Sequence, residues 1–267
     1  MSEPTPPKLL DLAGRIALVT GAGRGVGAQT ASYLAAHGAR VVVNDFVAAR
    51  ADEVAAAINV AGGVAVAVQG DVTDFDAATR MVAAAATAFG PVDVLVNNAG
   101  NAGAAPTGLT AKPFWEKDPA EWEPFLRVNL YGVLHCCRAV LPAMIEAGRG
   151  GRIITVISDA GRVGEPGLEA YSAAKAGAAG LMRALARGLG RFDITVNCVA
   201  IAATRTPAIA RAIANEDYAR KMLKGYIIRR FGEPSDVAAM ITFLASGAAG
   251  WITGQTYPVN GGFSVNL

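Results

Sequence analysis

The chain has 267 residues, 52% of them hydrophobic, and 24 Lys and Arg against 22 Asp and Glu give a net charge of +2. The charges are interspersed with no Lys/Arg block, which speaks against a nucleic-acid partner. No apolar run approaches the roughly 18 residues of a membrane span, so no membrane association is expected.

Residues 1–11 are read as a flexible arm, because Met1 to Pro7 is polar and Pro-rich. It has neither the basic start nor the apolar core of a secretory signal. The three cysteines, Cys136, Cys137 and Cys198, form no Cys-x-x-Cys pair and no Cys/His cluster. That composition fits a reducing cytoplasm and no metal.

The first strand is expected over 16–20 and a helix over 25–37. Between them lies Thr20-Gly21-Ala22-Gly23-Arg24-Gly25-Val26-Gly27. A glycine-rich turn from strand to helix lets backbone approach a pyrophosphate, and the helix N-terminus supplies free N–H groups. A second strand, 41–45, ends in Asp45, followed by Phe46. An acid about 20 residues past the turn is placed to hold ribose hydroxyls.

A helix over 48–61, a strand over 64–70, a helix over 74–89 and a strand over 93–96 follow. Residues 101–118 break the rhythm, being rich in Gly, Ala and Pro and then aromatic at Phe114 and Trp115. As a surface excursion or a pocket wall this segment reads equally well. A long helix is expected over 119–147 and a strand over 152–157, closed by Ser158.

The helix over 171–190 opens with Tyr171-Ser172-Ala173-Ala174-Lys175. Residues four apart share a helix face, so an ammonium can stand beside the phenol. A phenol titrates near pH 10, and a nearby cation lowers that value towards the range of a useful base. Ser158 can donate a hydroxyl to a substrate oxygen. On this triplet alone, an ordinary surface helix is the better reading.

A strand over 194–199, a second irregular stretch over 201–231, a helix over 235–246 and a strand over 256–259 complete the chain. The 201–231 stretch holds Met222, Leu223, Tyr226, Ile227 and Ile228 and is read as an apolar substrate lid. Short, nearly wholly apolar strands alternating with helices predict an α/β fold. It is a Rossmann-type doubly wound sheet of about seven mainly parallel strands, with helices on both faces, forming a single domain over 12–267. The two histidines, His37 and His135, have no carboxylate near them in sequence and are read as structural.

From Leu12 to Gly262 the ordered motifs resemble the classical short-chain dehydrogenases/reductases. These are the glycine turn, Asp71-Val72, Asn97-Asn98-Ala99-Gly100, Val128-Asn129-Leu130, Ser158, Tyr171 and Lys175, Arg230 to Pro234, and Ile252 to Gln255. The resemblance implies that Tyr171 is the general acid/base and that Lys175 lowers its pKa and holds the nicotinamide ribose. It further implies that Ser158 polarises the substrate oxygen and that Asn129 supports a water linked to Lys175. Cofactor contacts are expected from Gly21, Arg24, Gly25, Val26, Asp45, Phe46, Asp71, Val72, Asn98, Ala99, Gly100, Tyr171, Lys175 and Thr206.

The chain departs from that family after strand six, where the usual Pro-Gly is replaced by Ala200-Ile201-Ala202-Ala203-Thr204. Asp45 argues for NAD(H), since its carboxylate repels a 2′-phosphate, and Arg24 argues more weakly for NADP(H). The expected activity is interconversion of a secondary alcohol and a ketone on a hydrophobic substrate, such as a hydroxyacyl-CoA of a cyclic acid or a steroid or terpenoid alcohol. An NADPH-dependent 3-oxoacyl thioester reductase is the second reading, and a non-catalytic nucleotide-sensing module the third. The resemblance and the small or apolar residues on several faces of the two long helices (Ala173, Ala176, Ala179, Leu181, Ala184) predict a homotetramer or at least a dimer.

Overall fold

The apolar runs pair into one seven-stranded sheet in the order β3-β2-β1-β4-β5-β6-β7, every neighbouring pair parallel. The strands are β1 (Ile16–Val19), β2 (Arg40–Asp45), β3 (Val64–Gln69), β4 (Val94–Asn97), β5 (Gly151–Ser158), β6 (Ile194–Ile201) and β7 (Thr256–Val259). The computed structural model describes residues 9–102, 112–207 and 209–265. Most of the arm expected over 1–11 and much of the 101–118 segment lie outside the described residues.

The helices are α1 (Gly25–Ala36), α2 (Ala48–Val60), α3 (Phe75–Ala88), α4 (Glu123–Leu126), α5 (Gly132–Ala147), α6 (Ala160–Val163), α7 (Glu169–Leu189), α8 (Ala210–Ile213), α9 (Glu216–Leu223) and α10 (Pro234–Ala245). Their ends carry recognisable signals. Asp74 caps α3 by accepting from the Asp76 and Ala77 N–H groups, and α5 stops at Gly148, whose φ is 63°. Pro234 opens α10, with Glu233 and Asp236 forming a capping box.

Two apolar layers cover the sheet. One joins Leu34, Ile58, Val237 and Ile241 to the inner side chains of β1 and β2. The other joins Met81, Cys137, Val140, Met144 and Met182 to β4, β5 and β6 on the opposite face. Side chains alternate between faces along a strand, so strands covered on both sides must be apolar throughout. β5 shows this, being buried from Gly151 to Ile157 and open only at Ser158.

By length and composition alone the 119–147 stretch could cross a membrane, contrary to the reading of the sequence. Its Val133, Cys136, Val140 and Met144 are packed into the second apolar layer, as in a core helix. Nor is it a regular α-helix throughout. A π-turn over Arg127–Tyr131 separates α4 from α5. The wider turn frees the Phe125 carbonyl, which accepts from the Asn129 side-chain amide at 2.9 Å.

The 201–231 stretch contains the end of β6 and the short helices α8 and α9. Its apolar residues are not uniformly turned inward. Tyr226 and Phe231 are buried, whereas Ile227 and Ile228 are exposed.

Candidate active site

The strand order reverses between β1 and β4, and the crevice at their carboxyl ends is where open α/β sheets bind ligands. A cavity of about 570 Å³ lies there. Its walls include Gly21, Arg24, Gly25, Val26, Asp45, Phe46, Asp71, Val72, Asn98, Ala99, Gly100, Ser158, Tyr171, Lys175 and Thr206. Every residue expected to contact cofactor is therefore on one surface. Asn129 stands directly behind it.

At the glycine turn the backbone leaves no room for side chains. Gly21 has φ 60°, and a Cβ on it would stand 2.8 Å from the Ala99 Cα. A Cβ on Gly27 would stand 2.4 Å from the Asn98 Nδ2. Asn98 fastens the turn by donating to the Thr20 and Gly21 carbonyls, each at 3.0 Å. Thr206 packs on Gly25, since a Cβ there would stand 3.2 Å from the Thr206 Cγ2. This glycine cradle at a helix N-terminus fits a dinucleotide pyrophosphate.

Asp45 is buried at the end of β2. One carboxylate oxygen accepts from the Gly23 N–H and the other from the Val47 N–H, both at 3.0 Å. Each oxygen retains acceptor capacity for a ribose hydroxyl. Arg50, five residues beyond Asp45 and not among the residues expected here, is brought back by the first turn of α2 to 3.9 Å from that carboxylate. Phe46 is exposed at the cavity rim, and Asp71 accepts from the Thr73 N–H at 2.9 Å.

The residues expected to carry the chemistry come from three elements. Ser158 closes β5, Tyr171 and Lys175 share a face of α7, and Asn129 comes from the π-turn. Lys175 is buried and donates from Nζ to the Val156 carbonyl at 2.8 Å. Burial pushes its pKa down to about 8. Asn129 donates to the Asn101 carbonyl at 2.7 Å and accepts from the Asn101 N–H at 3.2 Å. A Cβ on Gly100 would stand 3.2 Å from the Asn129 Oδ1 and 3.4 Å from the Lys175 Nζ, so the two side chains converge on that glycine.

Tyr171 departs from expectation in one respect. Burial pushes its phenol above the ordinary value, a hydrogen bond with Ser158 pulls it down, and the Glu165 carboxylate pushes it up. Lys175 does not produce the expected depression. Its ammonium is 6.0 Å from the ring centroid and is engaged by the Val156 carbonyl. Phe125 meets the Tyr171 ring edge-on at 6.5 Å.

His37 and His135 bond to the Tyr33 and Val72 carbonyls and take no part. Among the described residues no group of His, Cys, Asp and Glu could hold a metal.

A parallel doubly wound sheet, a glycine cradle at its switch point and a Ser-Tyr-Lys cluster beside it define a nucleotide-dependent oxidoreductase. A family model described as enoyl-(acyl carrier protein) reductase matches residues 21–264. A 3-oxoacyl-[acyl-carrier-protein] reductase from Synechocystis sp. is 40% identical over 94% of this chain and 97% of its own length. A cis-4-hydroxycyclohexanecarboxylate dehydrogenase from Sinomonas cyclohexanicum is 42% identical over 94% of this chain and 97% of its own. A solved structure described as a short-chain alcohol dehydrogenase from Sinorhizobium meliloti superposes with a TM-score of 0.89 at 38% identity, covering 96% of this chain and 98% of that one. The chain belongs to the classical short-chain dehydrogenase/reductase family. It is an oxidoreductase of that class, whose members bind NAD or NADP and act on small-molecule alcohols and ketones.

Proposed function

We propose that the protein interconverts a secondary alcohol and a ketone on a hydrophobic substrate with NAD(H). The convergence of Ser158, Tyr171 and Lys175 at one end of the cavity that holds the glycine cradle carries this reading. A bound nicotinamide would supply or accept the hydride. The protein's part is orientation and proton transfer. Tyr171 exchanges a proton with the substrate oxygen, and Ser158 donates a hydrogen bond to that oxygen. Lys175 holds the ribose and, with Asn129 and a water, passes the proton outward. The stretch 201–231 acts as lid over the substrate, with Tyr226 and Phe231 as its buried anchors.

The negative charge of Asp45 supports NAD(H) over NADP(H). Arg24 and Arg50 on the same wall favour the second reading, an NADPH-dependent 3-oxoacyl thioester reductase. A gluconate 5-dehydrogenase-like structure from Beutenbergia cavernae, superposing with a TM-score of 0.88, was solved with bound NADP at low occupancy. Among substrates, cyclic hydroxy acids and hydroxysteroids are supported by relatives that act on them, the latter by a 7alpha-hydroxysteroid dehydrogenase of Escherichia coli, 36% identical over 95% of this chain. The cytoplasm is inferred from three buried free thiols.

The test is a screen of cyclic hydroxy acids, hydroxysteroids and 3-oxoacyl thioesters, each with NAD(H) and NADP(H), following nicotinamide absorbance. Turnover with a secondary alcohol and NAD supports the leading reading. Turnover confined to 3-oxoacyl thioesters with NADPH replaces it with the second. Nucleotide binding without turnover on any substrate leaves a sensing module.

A further inference from the structure

Directly after the catalytic serine stands a buried carboxylate, Asp159, that the chemistry above does not use. One of its oxygens accepts from the Arg162 guanidinium at 2.5 Å and the other from the Asn260 amide at 2.6 Å. Arg162 also donates to the Ser264 hydroxyl at 3.0 Å, and Asn260 donates to the Ser264 carbonyl at 2.9 Å. The chain after β7, residues 260–264, is thus hooked onto the residue beside Ser158.

The same hook touches the proposed lid. Phe263 packs against the Tyr226 ring at 5.2 Å, and the Gly261 carbonyl accepts from the Ile228 N–H at 2.8 Å. The Tyr226 hydroxyl in turn accepts from the Ala203 N–H at 3.0 Å. Ala203 lies on the wall of the cofactor cavity, in the segment that lacks the usual Pro-Gly. A residue with neither the fixed φ of proline nor the latitude of glycine is held there by a side chain from outside.

We infer that Asp159 is a positioning residue, and that the Asp159–Asn260 clasp makes the C-terminal tail part of the active-site frame. It ties the Ser158 end of β5 to the Tyr226 root of the lid and, through Tyr226, to the loop at Ala203. Buried charge pairs and polar networks fix one geometry when all members are satisfied, and here both carboxylate oxygens are. An active-site group displaced by an ångström through a distant change can lose about 100-fold in rate.

The inference rests on the dehydrogenase reading for its catalytic consequence, but not for its structural one. Asn260→Ala is the variant of choice, because it opens the clasp while leaving Asp159 paired with Arg162. Asp159→Ala strands a guanidinium and is the harsher companion. Three quantities are to be measured in the full chain: amide hydrogen exchange, NADH affinity by fluorescence titration, and kinetics on the alcohol that the wild type turns over.

In Asn260→Ala, exchange at Ala203 and Ile228 should accelerate by about tenfold or more, as local opening becomes easier, with β1 and β4 unchanged. NADH affinity should shift little, since the glycine cradle and Asp45 hold the other end of the cavity. The kcat should fall about 10- to 100-fold. Unchanged exchange at Ala203 and Ile228 would overturn the link between tail, lid and loop. Accelerated exchange with an unaltered kcat would overturn the positioning role. A wild type with no turnover on any substrate would sink the dehydrogenase reading, and the exchange data would still judge the clasp.

Discussion

Lys175 donates its ammonium to the carbonyl of Val156 at 2.8 Å, two residues before Ser158 on the neighbouring strand. That bond joins α7 to the end of β5, beside the packing of Ala178, Ala179 and Met182 on the same sheet face, and so helps to hold Tyr171 next to Ser158. It also holds a charge in a buried place, where the ionised form is disfavoured.

The consequence for stability has a definite sign. Burial lowers the Lys175 pKa from 10.5 to about 8. The unfolded chain therefore binds more protons here between pH 8 and 10.5, and this residue's contribution to stability rises with pH across that window. Below about pH 8 the folded protein carries the full penalty of the buried ammonium. Lys175→Met, of similar length and uncharged, should keep or raise the thermal midpoint at pH 7 while abolishing turnover. The gain over wild type should shrink as pH rises towards 10. A midpoint lowered by several degrees at pH 7 would show that the Val156 bond outweighs desolvation.

Cofactor choice should turn on Asp45. NAD(H) should be preferred over NADP(H) by about tenfold or more in kcat/KM, because a 2′-phosphate would face a buried carboxylate. Asp45→Ala should narrow or reverse that ratio, with Arg24 and Arg50 left on the wall. Initial rates with both cofactors at matched substrate settle it. Equal or better activity of the wild type with NADPH would show that the two arginines prevail.

Of the α7 residues expected to face a partner, Ala173, Ala176 and Ala184 are exposed together with Gly177, whereas Ala179 is buried in the second apolar layer and Leu181 packs against it; Tyr131, just before α5, and Leu134, in its first turn, are also exposed. A helix apolar beyond one stripe needs a second partner, and small side chains allow close approach. A homotetramer, or at least a dimer, is expected by light scattering at micromolar concentration. Ala176→Arg should shift the mass downwards. A wild-type mass of 27.3 kDa would refute the assembly.

Much of this site could be read from the chain because its parts are local. A glycine turn between an apolar strand and a helix, an acid ending the next strand, and a Tyr and Lys one helical turn apart are all short-range patterns. What the spacing does not show depends on where an element starts, how a helix is wound and which distant segments meet. Arg50 reaches Asp45 only because α2 starts where it does. The Asp159 clasp joins residues 101 positions apart. The π-turn at Asn129 adds one residue to a helix whose apolar spacing looks continuous. The surroundings of the Tyr171 phenol belong here too, since spacing shows that an ammonium is near but not that the ring is buried or that a carbonyl engages the ammonium.

The chemistry itself is tested by Tyr171→Phe. The change removes only a hydroxyl, so the ring still meets Phe125 and α7 is undisturbed. NADH affinity should stay close to wild type. Turnover should fall by about 10²–10⁴-fold or more, the usual share of a general acid/base. Ser158→Ala should lower kcat with little effect on cofactor affinity, while Lys175→Ala should weaken both. The pH dependence follows from the direction of the Tyr171 shift. With its pKa raised by burial, the phenol is protonated at neutral pH. That form suits ketone reduction, in which Tyr171 gives up a proton. Alcohol oxidation needs the phenolate, so its rate should climb with pH while the reduction rate declines. Tyr171→Phe should flatten both profiles. Near-normal turnover of that variant on a substrate the wild type uses would remove Tyr171 from the reaction.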